Sequence, residues 1–208
     1  QPVSYGATFT DQDMSGWDEM FPTITACEYP APGELDGRLL PDHGEAWFLP
    51  WVIEQEPGDS LVLSLEGIAL PYRLVRTLRF LTSDTLRMEY ELLNLGPEPL
   101  AYIWAAHPQF LCEDGARMVL PSQIDEVCST LPAEYGWGEP ETRFHWPGAQ
   151  RPDGTQVRID QSGPASLKQA RKFFTLPGSR PAWVGLVRNP DGDWLRLDWD
   201  PASVPYLR

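Results

Sequence analysis

Apolar and polar residues alternate most regularly in residues 72–94. Between 85 and 94 the even-numbered positions from Leu86 to Leu92 are apolar, and the odd-numbered positions from Arg87 to Glu91 are charged. A period of two is typical of a β-strand with one buried face. Residues 72–80 alternate in the same way, and Ser83-Asp84 lies between the two segments. The pattern therefore predicts an antiparallel hairpin.

A third strand is predicted at residues 100–106, an aromatic and apolar run bounded by Pro99 and Pro108. Proline cannot donate a hydrogen bond to a strand ladder, so we expect the strand to end at His107. Strand ends often carry functional side chains. The alternative is a core histidine whose ring is satisfied by its neighbours. The three strands together form the expected antiparallel unit that ends at His107.

The remainder of the chain consists of short apolar runs separated by turns, with 22 prolines and 17 glycines in 208 residues. No segment carries a long apolar stripe at helical spacing. This composition predicts an all-β protein, a large antiparallel β-sandwich, with residues 1–208 in a single domain. The chain begins at Gln1 without a methionine and ends within the pattern of residues 204–208. We therefore expect it to be truncated at both ends.

The formal net charge of −14 makes nucleic acids and anionic membrane surfaces unlikely partners, because such a field repels phosphate groups. No apolar run is long enough to span a membrane. The cysteines are Cys27, Cys112 and Cys128, an odd number without CxxC spacing. This pattern favours a reducing compartment over a disulfide framework or a zinc site. We expect a cytoplasmic protein, and its oligomeric state stays open.

Candidate chemistry centres on two histidines in aromatic surroundings. His43 lies in a short Asp-His-Gly turn that Trp47 follows, and His107 follows Trp104. A sugar site needs this combination of an apolar wall and a few polar groups. His145 is interpreted as loop packing.

Asp18 and Glu19 follow a tryptophan and could bind sugar hydroxyls, or they could form a solvated turn before the buried pair Phe21-Pro22. Two distant histidines without a third ligand pattern do not indicate a metal site. Neither a nucleophile motif nor a phosphate-binding glycine loop is present. No cofactor is predicted.

The order and spacing of three segments resemble a known family. These are Gly-Trp-Asp-Glu-Met-Phe-Pro at 16–22, Leu-Pro-Asp-His-Gly-Glu at 40–45, and Trp-Ala-Ala-His-Pro-Gln-Phe at 104–110. Together they are similar to the aldose 1-epimerase (galactose mutarotase-like) superfamily, in particular to its hexose-6-phosphate mutarotase branch. The resemblance covers residues 15–110 well and the rest weakly.

The resemblance implies a twisted β-sandwich that interconverts the α and β anomers of a sugar by general acid–base catalysis. His107 matches the histidine that protonates the ring oxygen. His43 matches a second histidine that hydrogen-bonds the sugar near that oxygen. Asp18, Glu19, Trp47 and Trp104 are then the expected substrate-binding residues.

The sequence departs from the family in two places. The family's catalytic base is a glutamate near the C-terminus, and no residue here matches it; either the chain is truncated or the protein binds sugar without turnover. The branch's phosphate-binding arginines are also absent, since their places read Met14-Ser15-Gly16 and Glu45-Ala46-Trp47. Together with the negative charge, this favours an unphosphorylated sugar.

Three arginines of the first predicted strand, Arg73, Arg76 and Arg79, are interpreted as outward-facing or as cross-strand partners, not as a phosphate site.

Three functional hypotheses follow from the sequence: a mutarotase-like isomerase, a non-catalytic carbohydrate-binding protein on the same scaffold, and a structural sandwich whose aromatic residues pack its own loops.

Overall fold

The computed structural model describes residues 4–13, 15–55, 58–189 and 192–208. The chain forms two compact units, residues 1–110 and 111–208. In the described ranges the regular elements are antiparallel strands and three-residue 3-10 turns, so the predicted all-β class is confirmed. No helical segment in these ranges has the length and apolar character that crossing a membrane requires. The expectation that 1–208 is one domain stays a prediction.

The described residues of the first unit form eight strands. They are β1 (Gly16–Met20), β2 (Cys27–Glu28), β3 (Leu39–Leu40), β4 (Val52–Gln55), β5 (Ser60–Glu66), β6 (Tyr72–Thr82), β7 (Thr85–Asn94) and β8 (Ala105–Gln109). Strands β4, β5, β6 and β7 form one four-stranded sheet in chain order. Two smaller sheets pair β1 with β8 and β2 with β3.

The predicted hairpin is confirmed as β6 and β7, which pair from Tyr72–Asn94 to Thr82–Thr85 around the turn at 83–84. The even-numbered side chains of β6 face the core near the base of the hairpin, where Tyr72 and Leu74 are buried. They pack in one cluster with Phe21, at the end of β1, and with Leu70. The alternation seen in the sequence therefore follows from burial of one face of the sheet.

Strand β8 differs from its prediction in position and partner. It covers Ala105–Gln109 instead of 100–106, so His107 lies in its middle, and it pairs with β1 instead of β7. Pro108 lies inside the strand, opposite Trp17. The ladder is two-stranded in the described chain, and such a ladder leaves an outer edge on each strand where a residue without an N–H is tolerated.

In the second unit, the part of the chain that the structure describes forms the other eight strands. They are β9 (Arg117–Val119), β10 (Glu126–Ser129), β11 (Arg143–His145), β12 (Gly148–Gln150), β13 (Gln156–Arg158), β14 (Phe173–Thr175), β15 (Trp183–Val187) and β16 (Trp194–Asp198). The sheets have the orders β11-β10-β14, β12-β13 and β16-β15-β9. Its core is built around Trp137, which is 1% exposed, with Phe144 and Phe173 against its ring.

Candidate functional site

The pairing of β1 with β8 places Asp18 directly opposite His107. Directly opposed residues of an antiparallel pair project to the same face of the sheet. Both side chains are half-buried. Two residues that are far apart in the sequence therefore share one face of this small sheet.

The turn that carries His43 is attached to the end of the same strand. The backbone N–H groups of Glu45 and Ala46 donate to the carbonyl of Phe21 at 2.7 and 3.2 Å. Gly44 has a φ of +71°, and a Cβ at this position would lie 2.2 Å from the Phe21 carbonyl oxygen. Only glycine fits such a close approach in the left-handed region. The contact holds the turn against β1 and brings His43 towards β8.

The two imidazoles meet in the first unit. The ring centroids of His43 and His107 lie 5.5 Å apart, with their planes tilted by 49°. The Nδ1 of His43 lies 2.8 Å from Oδ2 of Asp42. An ionised carboxylate only accepts hydrogen bonds, so this contact places the proton on Nδ1 and leaves Nε2 for another partner. His43 is thus oriented by its own neighbour in the turn.

An aromatic side chain that the sequence analysis did not single out completes this cluster. Phe9 lies in the 3-10 turn Phe9–Asp11 and is 3% exposed. Its ring stacks on His43 at 4.3 Å and 11°, and its centroid lies 5.3 Å from that of His107. Trp47 also contacts Phe9: the two rings are arranged edge to face, with their centroids 5.1 Å apart. No motif surrounds Phe9, so only the fold could reveal its position.

Asp18 is the carboxylate that faces this cluster. Its Oδ2 atom is buried and has no hydrogen-bond partner among the described residues. Burial, and next the charge of Glu19, raise the pKa of Asp18, whereas the charges of His43 and Arg76 oppose that rise. An unsatisfied buried carboxylate oxygen is costly, and groups of this kind concentrate at functional sites.

Glu19 projects to the opposite side of β1 because side chains alternate along a strand. It is 1% exposed and accepts hydrogen bonds from Arg76 Nη1 and Tyr90 Oη, both at 2.7 Å. Arg76 also lies over the ring of Trp51, with Cζ 4.4 Å from the ring centroid. Arg76 was expected to face outward or across strands. Its guanidinium contacts Glu19 on β1, a contact between strands, because a buried carboxylate needs a paired charge.

Comparison with known proteins identifies solved structures that have a similar fold. No family model matches the chain, and no curated protein matches it in sequence. A solved structure of a candidate aldose 1-epimerase from Escherichia coli K12 aligns with a TM-score of 0.50 at 16% identity, over 85% of this chain and 59% of that one. The structure of a galactose mutarotase related enzyme from Lactobacillus acidophilus aligns with a TM-score of 0.54 at 15% identity, over 83% and 59%. The chain has the galactose mutarotase-like fold.

The predicted superfamily resemblance is thus confirmed at the level of the fold, while the hexose-6-phosphate branch stays a prediction. The chain spans about three-fifths of the length of the two mutarotase-like structures, 59% of each. Within this fold, the histidines that the sequence analysis selected belong to one cluster, with Asp18 on the same face.

The two tryptophans that were predicted to bind the substrate, Trp47 and Trp104, have different surroundings in this mutarotase-like fold. Trp47 donates from Nε1 to the carbonyl of Gly44 at 3.0 Å, so it is tied to the His43 turn. Trp104 packs against Tyr90 at 5.0 Å, in the group that surrounds Glu19. Its Nε1 is buried without an acceptor in the described part of the chain. Of the two, Trp47 contacts the cluster that contains the histidines.

Glu45 belongs to the segment Glu45-Ala46-Trp47, where an arginine was expected for the phosphosugar branch, and it is fully buried. Its carboxylate accepts from the backbone N–H groups of Ile68 and Ala69 at 3.2 and 3.0 Å. Burial raises its pKa, and these hydrogen bonds act in the opposite direction. In this mutarotase-like fold the residue supports the base of the His43 turn. Within the described ranges, no three His, Cys, Asp or Glu side chains lie close enough together to hold a metal ion.

Proposed function

We propose that this protein is an aldose 1-epimerase-like isomerase that interconverts the anomers of an unphosphorylated sugar. The observation that carries the proposal is the 5.5 Å separation of the His43 and His107 rings, which come from distant segments of the chain. Two imidazoles at this distance can both contact one pyranose, and an imidazole exchanges protons near neutral pH.

The proposed reaction is ring opening and reclosure. His107 donates a proton to the ring oxygen as the bond from this oxygen to C1 breaks, and the proton on the anomeric hydroxyl leaves to a base. His43, oriented by Asp42, hydrogen-bonds the sugar near the same oxygen. Rotation about the C1–C2 bond and closure on the other face give the other anomer. His107 then takes back the proton that it donated.

The surroundings of the histidines support a neutral sugar as the substrate class. Trp47 offers an apolar face beside Phe9, and apolar ring faces suit the C–H side of a pyranose. The net charge of −14 disfavours a phosphorylated substrate. The segment Glu45-Ala46-Trp47, where an arginine was expected for the phosphosugar branch, contains no arginine and carries a buried acid instead.

The test is polarimetry on freshly dissolved α-glucose and α-galactose. We expect the wild-type chain to accelerate the approach to the anomeric equilibrium, and His107→Ala to lower the catalysed rate by about 10²-fold or more. His145→Ala is the matched control, since this exposed histidine lies on β11 in the second unit. A His107→Ala variant with the wild-type rate would remove His107 from the mechanism.

A second candidate function is sugar binding without turnover, and one observation favours it. Phe9 is stacked on the face of the His43 ring and also lies against His107, so part of the imidazole surface is already covered. A binding protein would show saturable quenching of tryptophan fluorescence by the sugar with no change in the mutarotation rate. An isomerase would show both effects.

A further inference from the structure

The ring-opening reaction needs a base close to the acid. The proton leaves the anomeric oxygen O1 while another proton arrives at the ring oxygen O5, and both oxygens are bonded to C1. The accepting and donating groups must therefore both reach oxygens that are bonded to this one carbon atom. A carboxylate on the same face as His107 satisfies this requirement.

The register between β1 and β8 provides that carboxylate. Asp18 is directly opposite His107, and the Cβ atoms of opposed antiparallel residues are about 4.5–5.5 Å apart. Asp18 also lies close enough to His43 for the charge of that imidazole to lower its pKa. It therefore stands next to the acid on the face where a sugar would bind.

The other carboxylates around the cluster are already engaged. Asp42 contacts Nδ1 of His43, Glu19 accepts from Arg76 and Tyr90, and Glu45 accepts from two backbone N–H groups. Asp18 differs from them because its buried Oδ2 has no partner in the residues that the structure describes. A substrate hydroxyl placed against this oxygen would supply the hydrogen bond that it lacks.

We propose that Asp18 is the general base of the reaction, an inference that rests on the proposed function. Oδ2 accepts the proton from the anomeric hydroxyl as the C1–O5 bond breaks and the C1–O1 double bond forms, while His107 protonates O5. After rotation about C1–C2, Asp18 returns its proton to O1, His107 recovers its own from O5, and the new C1–O5 bond closes the ring. No proton is gained or lost overall.

The electrostatic surroundings of Asp18 agree with this role. Burial and Glu19 raise its pKa, with a small further rise from Asp13, and His43 and Arg76 act against them. A carboxylate with a raised pKa is a stronger proton acceptor than one in water. His107 lies directly opposite Asp18 on β8.

The experiment compares Asp18→Asn with wild type by polarimetry and by sugar-induced tryptophan quenching. Asparagine keeps the shape and one acceptor oxygen, but it replaces the other oxygen with an NH2 donor and cannot act as a base. We expect the catalysed rate to fall about 10²–10⁴-fold while the sugar still binds. Asp13→Asn is the matched control, because Asp13 is exposed and bonded to the Ser15 N–H, and we expect its rate to stay near wild type.

Two further measurements separate a base from a structural residue. The wild-type rate should decline towards acid as Asp18 takes up its proton, and the residual rate of Asp18→Asn should lack this decline. Added formate should restore part of the rate of Asp18→Ala, because a small carboxylate can occupy the vacated space. This rescue also serves if Asp18→Asn does not fold.

The outcomes distinguish this inference from the function on which it rests. A wild-type chain that does not accelerate mutarotation overturns the proposed isomerase and, with it, the base. An active wild type together with an equally active Asp18→Asn overturns the base alone. An active wild type, a slow Asp18→Asn that still binds sugar and rescue of Asp18→Ala by formate support both.

Discussion

Replacement of Glu19 by glutamine should destabilise the protein strongly. The Glu19 side chain is 1% exposed and that of Arg76 is 13% exposed, with 2.7 Å between Oε1 and Nη1. Glu19→Gln removes the negative charge and leaves the guanidinium buried and uncompensated. Arg76 lies over Trp51 at 4.4 Å, which opposes its escape to water. The loss of one partner from a buried ion pair costs about 3–5 kcal/mol.

The measurement is the free energy of unfolding from guanidinium titrations, followed by circular dichroism and by tryptophan fluorescence. The control is a second ion pair whose arginine also belongs to β6. Arg73 and Glu54 also form a 2.7 Å ion pair, but their side chains are 37% and 38% exposed. Surface pairs contribute little, so Glu54→Gln should leave the free energy of unfolding nearly unchanged.

A double variant separates charge from packing. Glu19→Leu with Arg76→Met removes both charges at once, and replacement of a whole buried pair by apolar residues is often neutral or stabilising. We expect it to be more stable than Glu19→Gln, with a clear coupling energy between the two positions. Equal, small losses for Glu19→Gln and Glu54→Gln would refute the argument from burial.

Two further predictions concern the His43 turn. Gly44→Ala should destabilise the protein by more than about 1 kcal/mol and impair activity, because the new Cβ meets the Phe21 carbonyl. Gly58→Ala, also at positive φ but with nothing within 4 Å, isolates the backbone strain, so thermal unfolding should show the larger loss at Gly44. Glu45 has a pKa raised by burial, so its ionisation opposes folding; the stability that its neutral form supports is lost as pH rises through its folded-state pKa. The stability of Glu45→Gln relative to wild type should therefore improve as the pH rises above about 4, the ordinary pKa of a glutamate. Unfolding titrations that show no such trend would contradict the raised pKa.

Local pattern was sufficient for much of the fold. The β6–β7 hairpin follows from alternation with a period of two, and β7 begins and ends at the predicted residues 85 and 94. A half-buried strand imposes this alternation on neighbouring residues, so a short window of sequence contains the information. Proline and glycine punctuation likewise indicated an all-β chain. The selection of His43 and His107 came from short motifs and their order.

Pairing between distant segments could not be read in the same way. Strand β8 was predicted beside the hairpin, yet it pairs with β1, because several strands with similar patterns compete for one partner. The same limitation hid the role of Arg76: its place in the alternation was visible, but its partner Glu19 lies 57 residues away in the chain.

The adjacent carboxylates Asp18 and Glu19 show most clearly which properties the sequence determines and which the tertiary structure decides. In the sequence these are two consecutive carboxylates, and either of them could be predicted to bind a hydroxyl. Folding turns them to opposite sides of β1, since successive side chains on a strand alternate. Glu19 enters the core, where it is paired with the charge of Arg76 and accepts a hydrogen bond from Tyr90. Asp18 faces His107 with one buried oxygen still unsatisfied. Residue types and strand periodicity are local properties, whereas the environment that decides what a carboxylate does comes from segments that meet only in the folded chain.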